Sequence, residues 1–245
     1  PRLQQQRPTV NARQLIKAVV YSLLLLNFFQ YIANDINVAV HTAHEGWTLV
    51  DWTTAFATTL DEAAWFVLLF LLELETYLLS DEAFTPGRIK LMQAMRLVCY
   101  LFIGHTVFAF AEYLWQLSNA APLANTALCS LADEGLSFAR NLQYWELDSG
   151  NCQMLSEDNF FYQFADNQVI TDRAGMRVEW ELAWVDLLEV VVWLAILMLI
   201  ELIVRLQEKG VTSGPTLKTA RITKASLYSL LWGAAAYWAY RGHWL

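Results

Sequence analysis

Leucine, valine, alanine and aromatic residues run together in five stretches, and polar and charged residues collect between them. A membrane helix needs about 20 mostly apolar residues. The first stretch is Leu15 to Ile32, with Leu23 to Leu26 at its heart. The second is Trp52 to Leu79, centred on Ala63 to Leu72. The third is Ile89 to Trp115. The fourth is Trp180 to Leu206, whose apolar core runs unbroken from Val190 to Ile200. The fifth is Leu217 to Tyr240. The first is read as a retained span, because it exceeds a signal-peptide core and leads into Asn34-Asp35-Ile36-Asn37 in place of a small-residue cleavage site. The pattern predicts an all-α, polytopic helical bundle with an extracytoplasmic cap. Residues 1–14 form a leader, 15–116 hold three spans, 117–179 form the cap segment, and 180–245 hold two more spans.

Basic residues set the orientation. Arg2, Arg7, Arg13 and Lys17 lie in or next to the leader; Arg88, Lys90 and Arg96 follow the second span; Arg205, Lys209, Lys218, Arg221 and Lys224 follow the fourth. All three groups are expected in the cytoplasm. The opposite side receives Asn34 to Asp51 and the long segment Leu117 to Glu179, whose acids outnumber Arg140, Arg173 and Arg177. About 60 residues is too long for a bare loop. A short helix over Leu136 to Leu147 and a short extended piece over Gln168 to Thr171 are expected there. Cys129 and Cys152 fall in this segment and Cys99 in a span, so a Cys129–Cys152 disulfide is expected. It would close a loop of about 24 residues and contribute roughly 3 kcal/mol. The setting this implies is an inner membrane of bacterial type.

Composition agrees. Hydrophobic residues make up 56% of the 245 and charged residues only 16%, against about 25% charged in soluble domains. Disorder, coiled coil and disulfide mini-protein are excluded. The formal net charge of −8 argues against a nucleic-acid partner.

At an offset of 128 positions, Asp61 falls on Glu189, Trp65 on Trp193, Glu73 on Glu201, Arg96 on Lys224 and Tyr100 on Tyr228. Spans two and three therefore resemble spans four and five in the same orientation, the plan of a parallel repeat. Chance alignment of leucine-rich helices is the competing reading.

An ionisable group at the bilayer centre costs at least about 2.5–3.5 kcal/mol. Depth matching across the two hairpin turns predicts two structural ion pairs, Glu73–Arg96 and Glu201–Lys224. Nearer the outside, Asp61, Glu62, His105 and Glu112 fall at similar depth in the first hairpin. Asp186 and Glu189 take the corresponding place in the second, with Arg241 near Asp186. These six are the candidate ion-pathway residues. The cluster has three readings: a relay for protons or cations, a metal site through His and carboxylates, or a solvated helix end. His41, His44 and Glu45 form a second, exposed candidate for metal.

Phosphate-loop, dinucleotide, zinc-protease, serine-hydrolase and haem-attachment motifs are absent, so no catalytic residue and no cofactor is expected. Trp47, Trp52, Trp115, Trp180, Trp184, Trp238 and Trp244 fit an interfacial belt. Trp65, Trp193 and Trp232 are expected deeper, packed between helices. Gly233-Ala234-Ala235-Ala236 permits close helix approach. Three function classes follow. The leading one is a proton- or cation-conducting channel or transporter component. The second is an accessory subunit or homo-oligomeric scaffold of a membrane complex, and the third is a membrane redox or metal enzyme resting on His105.

Overall fold

The computed structural model describes residues 12–43, 46–75, 85–124, 126–165, 167–211 and 214–242. These described residues are mostly helical, 74% of them. The helices are α1 (Ala12–Thr42), α2 (Leu49–Ala55), α3 (Ala57–Glu73), α4 (Pro86–Ser118), α5 (Cys152–Leu155), α6 (Arg173–Glu208) and α7 (Pro215–Tyr240). Between α4 and α6 lie the strands β1 (Ala121–Ala124), β2 (Ser137–Arg140), β3 (Gln143–Glu146), β4 (Phe160–Gln163) and β5 (Val169–Asp172).

α1, α4 and α6 are each long and apolar enough to cross a membrane. α2 and α3 together make a fourth candidate, but one bent by 73° at Phe56. The expected continuous second span is therefore broken. The break is stabilised from both sides. Thr48 and Asp51 form a capping box at the start of α2. At the start of α3 the orphan amide of Thr59 is taken by a carboxylate from another helix. Asp35 of α1, buried, accepts from Thr59 N at 2.9 Å and Thr59 Oγ1 at 2.7 Å. α1 thus runs well past Ile32, and Asp35 is a helix residue where a loop was expected.

α7, the expected fifth span, packs along α6, yet it does not reach the hydropathy of α1, α4 and α6. Lys218, Arg221 and Lys224 crowd its first turns, and its second half is built from Gly, Ala, Trp and Tyr. Trp232 is 78% exposed, not packed between helices. Trp65 and Trp193 do meet, edge to face, with ring centroids 5.4 Å apart.

The segment between α4 and α6 is not helical over 136–147. Those residues form the β2–β3 hairpin, because Ser137-Phe138-Ala139-Arg140 and Gln143-Tyr144-Trp145-Glu146 alternate sides and carry aromatic strand formers. The expected extended piece is β5, shifted by one residue. A five-stranded sheet in the order β1-β4-β5-β2-β3 results, so the fold is not purely α. β2 and β5 pair in parallel and the other neighbours antiparallel.

The sheet's two faces do different things. Phe138, Phe161 and Ile170 point into a core with Leu128, Leu131, Leu136 and Leu147, closed by the Cys129–Cys152 disulfide. Ala139, Tyr144 and Val169 point the other way, into a second core shared with Leu114, Leu117, Met176 and Ala183 of α4 and α6. One sheet therefore has a private core and a joint with the helices. α6 starts directly from β5. Asp172 caps it, accepting from Gly175 N at 2.7 Å and from Ser156 Oγ at 2.7 Å and pairing with Arg140. Gly175 is required there, since a Cβ would overlap the Thr171 hydroxyl.

Candidate functional site

Four carboxylates collect where α3 and α6 face each other. Asp61 and Glu62 come from α3, and Asp186 and Glu189 from α6. Asp61 lies in the field of Glu62 and Glu189. Glu62 lies in that of Glu189, and Asp186 in that of Glu189 and Glu179. Tyr31 of α1 sits among Glu62, Asp186 and Glu189, with Asn27 beside it one turn back. The charges acting on Asp61, Glu62 and Asp186 are all acidic.

Indoles line the set. Trp65 and Trp193, one turn beyond Asp61 and Glu189 on their helices, donate towards those carboxylates. Trp238 of α7 donates to Glu189 Oε2 at 3.2 Å. One oxygen of Asp61 and the Asn27 side-chain oxygen are buried without a hydrogen-bond partner among the described residues. Residues placed in register by the 128-residue offset, Asp61 with Glu189 and Trp65 with Trp193, are the ones that meet here.

Such a set cannot hold four negative charges in an apolar bundle. Like charges disfavour the ionised form, and no ion pair among the described residues offsets them. Protons or bound cations must supply the balance. Among the described residues no three His, Cys, Asp or Glu side chains converge to hold a metal ion.

His105 and Glu112 belong to α4, the helix that packs against α3. His105 stacks on Phe108 of its own helix, centroids 5.8 Å apart, and Glu112 lies two turns further along α4. Beyond the hairpin, Asp61 and Glu62 of α3 also lie in the field of Glu189 of α6.

The expected ion pairs are replaced by others. Glu73 binds Lys17 of α1, at 2.7 and 3.0 Å, and accepts from Tyr21 at 2.9 Å. Arg96 pairs with Glu75 instead of Glu73. Glu201 pairs within its own helix with Arg205, at 2.9 Å, and not with Lys224. Arg241 pairs with Glu181, which also accepts from Tyr237 at 2.9 Å, so its charge goes to Glu181 and not to Asp186. Equal distance from a turn fixes depth, but it does not fix which face of each helix looks inward. His41 contacts the sheet: its Nδ1 lies 2.9 Å from Ser137 Oγ, and its ring stacks on Tyr144. His44 and Glu45 lie outside the described residues.

A second buried acid, Glu179, was not singled out by sequence. It sits at the joint between helices and sheet, accepting from Tyr113 Oη and Leu142 N, each at 3.0 Å. Tyr144 lies against both. Burial pushes the Tyr144 hydroxyl well above its ordinary range, and the Glu179 charge adds to that. Tyr31, Asn27 and Asp35 were also missed. The i, i+4 spacing of Asn27 and Tyr31 inside a leucine-rich span was an available signal, since polar groups there face a partner more often than lipid.

No family model matches this chain, and no curated protein or solved structure is similar to it.

Proposed function

We propose that this chain is a polytopic membrane protein that passes protons or other small cations by way of Asp61, Glu62, Asp186 and Glu189. The observation that carries the reading is their company. Four carboxylates from two helices sit together with Tyr31, and the charges acting on Asp61, Glu62 and Asp186 are all acidic. A structural role would surround them with donors, as Glu73 is met by Lys17 and Tyr21 and Asp35 by Thr59 elsewhere in the same bundle. Meeting of offset-related residues supports a two-half design with the site between the halves.

In this reading α7 is the fifth span, and the sheet domain is a cap on the extracytoplasmic side. The Cys129–Cys152 disulfide supports an oxidising compartment for it. The basic residues around Lys17, Arg88 and Arg205 to Lys224 then face the cytoplasm, as in an inner membrane of bacterial type. The acidic cap would raise the local cation concentration at the outer mouth.

A second reading has one observation in its favour. Trp232 is 78% exposed beside Gly233, where a Cβ would meet open space. This face of α7 suits another helix, in a homo-oligomer or a larger membrane complex in which the chain is an accessory subunit.

The test is ion flux in liposomes holding the purified chain alone, read with pH-sensitive and cation-sensitive dyes. Wild type is expected to carry flux. Asp61→Asn with Glu189→Gln is expected to reduce it at least about ten-fold, roughly the 1.4 kcal/mol of one barrier decade. Folded wild type that carries neither protons nor cations under several gradients would end this reading and favour the accessory subunit.

A further inference from the structure

Small residues face each other where α3 packs on α4. On α3, Ala63 and Ala64 lie between Leu60 and Val67; on α4, Ala94 stands one turn before Val98 and two before Phe102. Helices pack by setting ridges of side chains into grooves, and a stretch built on alanine carries only low ridges. The result is an open groove of about 380 Å³ between the two helices. Its floor is Ala64 and Cys99, each 4% exposed, which belong to a core that also holds Ile103. Leu60 and Val67 form one wall, Val98 and Phe102 the other. No lining side chain carries a nitrogen or oxygen atom. Two cross-helix contacts hold the walls in place. Thr106 Oγ1 donates to the Ala57 carbonyl at 3.4 Å, and Arg96 pairs with Glu75.

Width, length and charge together choose the occupant. Packed helices have axes about 8–10 Å apart, so the depression between them is narrower than a third helix, whose diameter is about 10–12 Å. A single hydrocarbon chain is thinner than that. Ala94 to Phe102 covers about 12 Å along α4, close to the half-thickness of a bilayer's hydrocarbon core, about 15 Å. Lys90 lies one turn before Ala94, so Lys90, Ala94, Val98 and Phe102 form one row along α4. Lys90 is exposed, and no ion pair among the described residues uses it. A lysine at the end of an apolar slot lays its methylene stem along a hydrocarbon chain and offers its ammonium to an anionic headgroup.

We propose that the α3–α4 groove binds one anionic phospholipid: an acyl chain fills the slot over Ala64 and Cys99, and the phosphate meets Lys90. The inference rests on the membrane setting of the proposed function and not on ion conduction. In the proposed orientation the Lys90 end faces the cytoplasm, so the lipid belongs to that leaflet. Leu60 and Ala63 flank Asp61 and Glu62 in sequence, so the bound chain lies against the helix that carries those two acids.

The test uses the full chain in nanodiscs of equal phosphatidylglycerol and phosphatidylcholine, with a small share of one or the other carrying a photoreactive diazirine on an acyl chain. Labelled peptides are then identified by mass spectrometry. In wild type, peptides over 60–67 and 94–102 are expected to take up the phosphatidylglycerol probe about five-fold more than the phosphatidylcholine probe, the preference that one lysine near a membrane surface gives. The exposed face of α1 from Leu23 to Phe29, in ordinary contact with lipid, should take up both alike. Lys90→Ala, a change at an exposed site, should remove the preference. Ala94→Leu fills the slot and should lower groove labelling to the level of the α1 face. Equal uptake of the two probes by the wild-type groove overturns the proposal, as does a preference that survives Lys90→Ala. Groove labelling that survives Ala94→Leu in folded protein does the same. Groove peptides that take up neither probe while α1 takes up both would mean that protein, from this chain or a second copy, fills the slot. No labelling on α1 either would remove the membrane setting, and the lipid site with it. None of these readouts uses ion flux, so failure of the lipid site and failure of the conduction reading are told apart.

Discussion

Asp35, Asp172 and Glu179 each accept two or more hydrogen bonds from the chain around them. Asp61, Glu62, Asp186 and Glu189 chiefly face one another, with indole donors on two of them. The residue types are the same, but the first group is buried and the second half-buried. The first group joins separate elements: α1 to α3, β5 to α6, and the β2–β3 turn to α4 and α6. The second group joins nothing that a neutral residue could not join as well. A buried acid surrounded by donors is part of the architecture. A half-buried acid surrounded by acids calls for protons or cations to balance it.

That contrast can be broken most sharply at Asp172. Asp172→Ala removes the α6 cap, the Ser156 bond and the Arg140 partner together. A loss of about 3–4 kcal/mol is expected in denaturant unfolding of the detergent-solubilised chain. A loss below about 1 kcal/mol would put Asp172 outside the architectural group. Reduction of Cys129–Cys152 should cost roughly 3 kcal/mol while leaving ion flux in place, because the bridge closes the private core and not the joint. Asp35→Ala strands the Thr59 amide and hydroxyl at the α2–α3 break, and a drop of about 2 kcal/mol is expected by thermal unfolding.

Asp61→Asn with Glu189→Gln should behave in the opposite way. Removing like charges from an apolar site is expected to leave stability within about 1 kcal/mol of wild type, or to raise it, while flux disappears. A strong destabilisation would place these carboxylates with Asp35 and Asp172 after all. The smallest effect belongs to the exposed pair on α6. Arg205→Ala should change stability by about 0.5 kcal/mol or less.

Much of the molecule was legible as pattern. The apolar runs over α1, α4 and α6 stand out because lipid and core both ask for unbroken hydrophobicity. The disulfide followed from two cysteines in one polar segment. β5 was visible as Val169-Ile170-Thr171. The β2–β3 hairpin was not, because its turn is Asn141-Leu142 and not the Asn-Gly that ordinarily marks one. The bend at Phe56 was hidden for a related reason: the group that caps α3 is Asp35, which precedes it by more than twenty positions.

The carboxylates themselves were found by sequence, since charge inside an apolar run is a local property. The approach of Glu189 on α6 to Asp61 and Glu62 on α3 was not. Sequence placed Asp61 and Glu62 with His105 and Glu112 by depth, and it paired Glu73 with Arg96. Hydropathy and spacing report depth and side-to-side periodicity along one helix. They carry no information on how each helix is rotated about its axis against the next. Helix packing sets that rotation through the contacts of whole faces, such as Trp65 on Trp193 and Tyr144 on the α4–α6 joint. The sequence by itself determined that this chain is rich in membrane-compatible helices and that acids lie within them. Only the tertiary structure decided which acids look at donors and which look at each other.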